Sequence, residues 1–330
     1  MTSVVSYGDI SPRTNAYAVF PLLVRGHEDM ILERFGQAFP VPDHATKTAK
    51  FRRYEILPLA TTPLVEGVTP SGTKPAITDY TATLVQYGDF IPFSDFIMDT
   101  HEDPLLKEFS ALCMQQWTET IETVRYNTIK AGSNVGYSNG SGRTYPNTPV
   151  TLAAQRKATR ALKRQRGKHI QEQVSSNGNF RTEPVEKAFI AICHTDCEND
   201  VRNISGFIPV KQYGSTSPFP NEIGAVEDVR YIRSTLFTPF ADAATASSLN
   251  GMVSTTGVYA DVYPIIYIAK DAYGIVPLKG KAAISLMVVN PKPISGDPLG
   301  QRGSVGWKTA QTAQILNDLW LYRLEVAATN

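Results

Sequence analysis

The sequence predicts an α+β fold made of an extended N-terminal arm, a long β-hairpin, one long helix and a mixed domain. Three observations carry this reading. Two β-rich limbs flank a turn within residues 47–94, apolar residues recur at helical spacing from Pro104 to about Ala131, and strand and helix patterns mix from about residue 183. The chain has 330 residues, 42% hydrophobic and 19% charged, with a net charge of +1. That is ample chain for a core, and a charge-poor, near-neutral surface favours association over dispersal.

Residues 1–46 predict an arm rather than a compact domain. Phe20-Pro21 and Phe39-Pro40-Val41-Pro42 force extended backbone, and only Arg25 to Phe35 has a helical pattern. In the hairpin, Phe51 to Glu66 forms the first limb, Ile77 to Phe93 the second, and Thr69 to Pro75 the turn. A two-stranded ribbon is marginal alone. No neighbouring segment reads as a partner sheet, so its support is expected on another subunit. For the long helix, Asp103 is the expected N-cap and Pro104 the first helical residue, with Leu105, Phe109, Leu112, Cys113, Trp117 and Ile121 on the apolar face. A second, basic helix is expected from Thr151 to about Gln165. Beyond it, strands are expected at Ala188 to Cys193, Glu222 to Leu236, Val258 to Lys270, Ile284 to Asn290 and Leu319 to Ala327. A helix capped by Thr195 or Asp196 should run to about Ile204.

Several classes fall away. No run approaches the ~18 apolar residues of a membrane span. The start, MTSVVSYGDI, has neither the basic nor the apolar region of a secretory signal. Three cysteines, Cys113, Cys193 and Cys197, make no closed disulfide framework and suit a reducing compartment. Cys193-His194-Thr195-Asp196-Cys197 is metal-like but lacks the second ligand pair that zinc wants. No phosphate loop, dinucleotide fingerprint, nucleophile elbow or zinc helix occurs. No catalytic residue, cofactor or metal is therefore expected.

The charges are segregated instead. Residues 151–173 carry seven bases and one acid, while residues 95–125 carry seven acids and two bases. Solvated faces are the plain reading; complementary contacts between subunits are the favoured one. The candidate contacts are Arg52, Arg53, Glu66, Lys74 and Asp79 on the hairpin, Glu119 and Glu122 on the long helix, and Arg156, Lys157, Arg160 and Lys163 on the basic helix.

The order of arm, hairpin, long helix and mixed domain resembles tailed-bacteriophage major capsid proteins of the Hong Kong 97-like fold. The run Glu222-Ile-Gly-Ala-Val-Glu-Asp-Val-Arg-Tyr-Ile-Arg-Ser resembles the E-I-G-x-x-x-x-V-R-x-x-x-S stretch of the podophage coat-protein family. Asp297-Pro-Leu-Gly-Gln-Arg-Gly-Ser-Val-Gly-Trp-Lys, followed by Ile315-Leu-Asn-Asp and Leu324-Glu-Val, resembles its C-terminal block. The resemblance implies an N-terminal arm at 1–46, an E-loop at 47–94 and a peripheral domain with spine helix at 95–183. It further implies an axial domain at 184–290 and a return to the peripheral domain at 291–330.

The implied function is self-assembly into the icosahedral head shell that encloses double-stranded DNA, without catalysis. Implied partners are further copies in hexamers and pentamers, a portal, a separate scaffolding protein and packaged DNA contacted without sequence preference; no membrane is involved. The implied place is the virion, after assembly in the host bacterial cytoplasm. The alternatives are a cargo-enclosing bacterial nanocompartment shell of the same fold and an oligomeric enzyme with an unrecognised site.

Overall fold

Two large β-sheets, a two-stranded ribbon and one long helix organise the chain in a computed structural model that describes residues 30–42, 44–69, 71–100, 105–174, 182–213, 218–278, 284–293 and 296–330. First come strands β1 (Gln37–Ala38), β2 (Thr48–Tyr54), β3 (Ile77–Thr83) and β4 (Val85–Ser94), then the short helix α1 (Asp95–Thr100). The long helix α2 (Leu105–Lys130) leads to β5 (Val135–Tyr137), α3 (Leu152–Arg164), β6 (Ile170–Val174), β7 (Thr182–His194) and α4 (Glu198–Arg202). Then follow β8 (Phe207–Pro209), β9 (Glu222–Val226), β10 (Val229–Ser234), β11 (Tyr263–Ile268), β12 (Tyr273–Pro277), β13 (Ile284–Val289), β14 (Arg302–Ile315) and β15 (Leu321–Val326).

The hairpin forms only at its base. Of the first limb expected to Glu66, only the part within β2, to Tyr54, is strand, and no strand occurs among the described residues between Glu55 and Ala76. The second limb divides at Leu84. β3 pairs antiparallel with β2, placing Thr48 opposite Thr83 and Tyr54 opposite Ile77. β4 leaves that ladder and pairs along its whole length with β14, Ser94 opposite Arg302 and Val85 opposite Gln311. The expectation that only another subunit supports the ribbon is thus corrected: its base rests on a distant strand of the same chain. Gly303 makes the join possible. A Cβ there would run into the ring of Phe93, which crosses the strand at that point.

The five-stranded sheet has the order β1-β12-β14-β13, with β4 also on β14. α2 lies on it because its first turns repeat an apolar residue every fourth position. Leu105, Phe109 and Cys113 pack with Phe93, Ile97, Val305 and Trp307, and the Trp307 indole donates to Gln116 at 2.9 Å.

The eight-stranded sheet runs β5-β15-β11-β7-β10-β9-β8, with β6 on β7. Its central strands read as unbroken apolar runs because both faces are covered. Along β7, Phe189, Ala191 and Cys193 face a core shared with Ala158 and Leu162 of α3. Ile190 and Ile192 face the opposite core, shared with Tyr126 and Ile129 of α2 and with Ile31 and Leu32. The strand period of two sends alternate residues to opposite faces.

Sheet membership therefore differs from the expected boundaries at 183 and 290. β12 and β13 belong to the sheet under the start of α2, whereas β5, α3 and β6 join the larger one, as does β15 near the C-terminal end. Finer differences have local causes. α3 starts where expected, with Thr151 Oγ1 accepting the Ala154 N–H at 3.3 Å. The next helix does not: His194, not Thr195 or Asp196, caps a 3-10 turn over Thr195–Cys197, and α4 ends at Arg202. The single strand expected over Glu222 to Leu236 folds back on itself at Glu227, whose φ is +53°. Asp103, Pro104 and most of the arm lie outside the described residues; of the helical pattern up to Phe35, Leu32–Arg34 forms one 3-10 turn.

Candidate functional site

The hairpin carries its charges at the base and its apolar residues towards the tip. Arg52 and Asp79 stand directly opposite in the β2–β3 ladder. The guanidinium forks onto the carboxylate at 2.9 and 3.1 Å, which holds Asp79 below the usual carboxylate range. Arg53 pairs with Glu55 at 2.8 Å; the Thr78 hydroxyl, and then Arg53, hold the Glu55 carboxyl down. Past this ladder Glu66 and Lys74 are exposed. So is an apolar series: Leu59 is 82% and Leu64 78% exposed, with Ile56, Leu57, Val65 and Val68 also open to solvent.

On α2, Glu119 accepts from Gln115 at 2.9 Å on the partly exposed face. Glu122 is not a surface residue, which corrects its reading as a subunit contact. It is fully buried, and its Oε1 accepts the backbone N–H groups of Ile31 and Leu32 at 3.0 and 2.9 Å. Burial raises its carboxyl pKa, opposed by those two bonds and by Arg125. Arg125 is itself buried and donates to Gln311 of β14 at 2.9 Å.

On α3, Arg156 pairs with Glu227, and Lys163 with Asp228 at 2.5 Å. Two of the four basic candidates are therefore engaged by the β9–β10 turn of their own chain. Lys157 and Arg160 remain exposed. Among the described residues no ion pair joins this helix to the acidic segment 95–125.

The Glu222-to-Ser234 motif proves to be a structural device that charge counting missed. Glu222 and Arg230 are both buried and paired two-pronged, at 2.7 and 2.6 Å. The guanidinium lies 4.2 Å over the Phe219 ring, and the Phe219 N–H donates to the same carboxylate at 2.7 Å. Gly224 is required between them, since a Cβ would meet the carbonyl oxygen of Ile208. The available signal was an acid and a base eight residues apart across a tight turn.

The cysteine cluster is interior. Burial pushes the Cys193 thiol up to about 12 and raises Cys197 and Cys113 as well. Among the described residues no group of three or more His, Cys, Asp or Glu could hold a metal ion. All three thiols should stay unreactive towards a disulfide reagent at pH 8 in the folded protein and react on denaturation. Rapid native labelling of any one would contradict the burial.

The family model described as phage capsid protein matches residues 78–323. No curated protein matches the chain. Among solved structures, the chain is similar to the capsid of Ralstonia phage GP4, with TM-score 0.66 and 12% identity over 100% of this chain and 99% of that one. It is similar to the head protein of Helicobacter pylori bacteriophage KHP40, with TM-score 0.65 and 12% identity over 98% of each chain. The capsid of cyanophage P-SCSP1u gives TM-score 0.64 and 12% identity, over 96% of this chain and 94% of that one.

Proposed function

Because the chain belongs to the phage capsid protein family and has its Hong Kong 97-like fold, we propose that the hairpin at 47–94 is an E-loop that seats its apolar tip on a neighbouring subunit. The protein is a structural, non-enzymatic component of the virion head shell, and it works as a homo-oligomer. The observation that carries the E-loop reading is the apolar series from Ile56 to Val68, left open beyond the last rung of the β2–β3 ladder. A monomer gains nothing from such exposure, while a neighbour that covers it gains about 25 cal/mol for each Å² removed from water. Many weak contacts of this kind per subunit suffice, because a closed shell engages them together.

In this reading residues 1–46 are the N-terminal arm and α2 is the spine helix of a peripheral domain. The eight-stranded sheet forms most of the axial domain around the centre of hexamers and pentamers. Arg52, Arg53, Glu66, Lys74, Asp79 and Glu119 flank the hairpin contact, and Lys157 and Arg160 are free to meet either a neighbour or packaged DNA without sequence preference. A portal and a separate scaffolding protein complete the head, which assembles in the host bacterial cytoplasm.

The test is Leu59→Asp with Leu64→Asp. The double variant should stay folded, with stability within about 0.5 kcal/mol of wild type. It should sediment as free subunits or capsomers where the wild type forms shells under the electron microscope. Shells at wild-type yield would overturn the E-loop reading.

A further inference from the structure

Where α2 ends, three cations gather round one carboxylate. Glu325 on β15 is fully buried and receives Arg143 through Nε and Nη2, at 3.0 and 2.8 Å. Arg323, two residues earlier on the same strand, holds its Nε 2.9 Å from Glu325 Oε1, and its Nη1 donates to the Lys130 carbonyl. Lys130, the last residue of α2, donates to the Thr238 carbonyl at 2.7 Å. Its ammonium stands 3.9 Å from the centre of the Phe240 ring, and the Arg143 guanidinium stands 3.6 Å from the same ring. Lys130, Arg143, Arg323 and Phe240, with Asn127 and Ala131, line a surface cavity of about 440 Å³.

The charges there do not balance. Among the described residues Glu325 is the single carboxylate paired with Arg143 and Arg323, and none is paired with Lys130. Burial, then the charges of Arg143 and Arg323, push the Lys130 amine down to about 8 in spite of Glu325. Donors are left over as well. Arg143 Nη1, Arg323 Nη2 and two of the three Lys130 N–H bonds have no partner among the described residues.

We propose that this cavity binds one phosphate group. One terminal nitrogen of each guanidinium and the Lys130 ammonium remain to serve the cavity that all three side chains line, and such a set of charged donors suits a tetrahedral dianion with several acceptor oxygens. The Phe240 ring, flanked by two of the cations, fixes their positions by cation–π attraction. Residual positive charge in a partly desolvated cavity attracts an anion more strongly than the exposed lysines of α3, which water screens. The phosphate comes from one of two sources, the free ion or the backbone of DNA.

The test is calorimetric titration of the full-length protein with inorganic phosphate at constant ionic strength. One saturable site per subunit is expected. Lys130→Gln should weaken it about ten-fold or more, the share of one charge-assisted hydrogen bond, without lowering the thermal midpoint. Lys130→Arg should retain it, and Lys157→Gln on α3 should leave it unchanged. No saturable binding, or equal weakening by Lys130→Gln and Lys157→Gln, would overturn the proposal. A short duplex that competes with phosphate in the wild type identifies backbone phosphate as the source. A duplex that does not compete identifies the free ion.

Discussion

Glu222→Ala should cost the unassembled subunit about 3–5 kcal/mol, because it leaves the Arg230 guanidinium buried without its counter-charge. Both partners are almost wholly inside the protein, and the pair holds β9 against β10 with the Phe219 backbone bonded to the same carboxylate. The measurement is the urea midpoint of Glu222→Ala against wild type. Adding Arg230→Met should recover much of the loss, since removing both charges is far cheaper than removing one. A single variant that costs under about 1 kcal/mol would show that the guanidinium finds other compensation.

The second large effect is at Glu122. Alanine there strips the acceptor from the N–H groups of Ile31 and Leu32 and opens space in the core, at a cost of about 2–4 kcal/mol. The chain just before β1 should then become accessible to proteases, while α2 remains formed. Glutamine makes a sharper test, since it keeps an acceptor oxygen but carries no charge. The folded-state pKa of Glu122 is raised, with burial as the leading cause. The stability linked to its proton is therefore fully present below the ordinary carboxylate range and is lost as pH rises through the raised value. Glu122→Gln should flatten that decline. A variant with the wild-type slope over this range would show that another group titrates there.

The parts of this fold that were legible in the sequence are those where local pattern and tertiary role coincide. The start of α2 repeats an apolar residue every fourth position. The β2–β3 ribbon is rich in β-formers, and a strand was legible over Leu321 to Val326, although it is buried on both faces rather than alternating between core and solvent. β14 was not legible as the central strand of the smaller sheet. Gly303 and Gly306 dilute its β-formers, and Gln311 and Gln314 look solvent-facing, yet it pairs with β4, β12 and β13 at once. Its glycine is there for the Phe93 ring, a reason that lies at the other end of the chain. Glu122 was misread for a similar reason. Nothing in its spacing separates it from Glu119, and only the arrival of Ile31 and Leu32 takes it inside. The basic helix was legible as basic, but its acidic partners Glu227 and Asp228 sat in a turn that the sequence had drawn as the middle of a strand.

The path of β14 and β15 also sets an order of events. These neighbouring segments close two different sheets, one binding β4 and the other binding β11 and β5. A nascent chain has to be synthesised through Ile315 before the smaller sheet gains its central strand, and through Val326 before the larger sheet gains β15, so both sheets are completed late in translation. Ribosomes that stop early release chains in which β4 still lacks its long partner strand. Such fragments lack the strand that holds the base of the hairpin against the rest of the subunit.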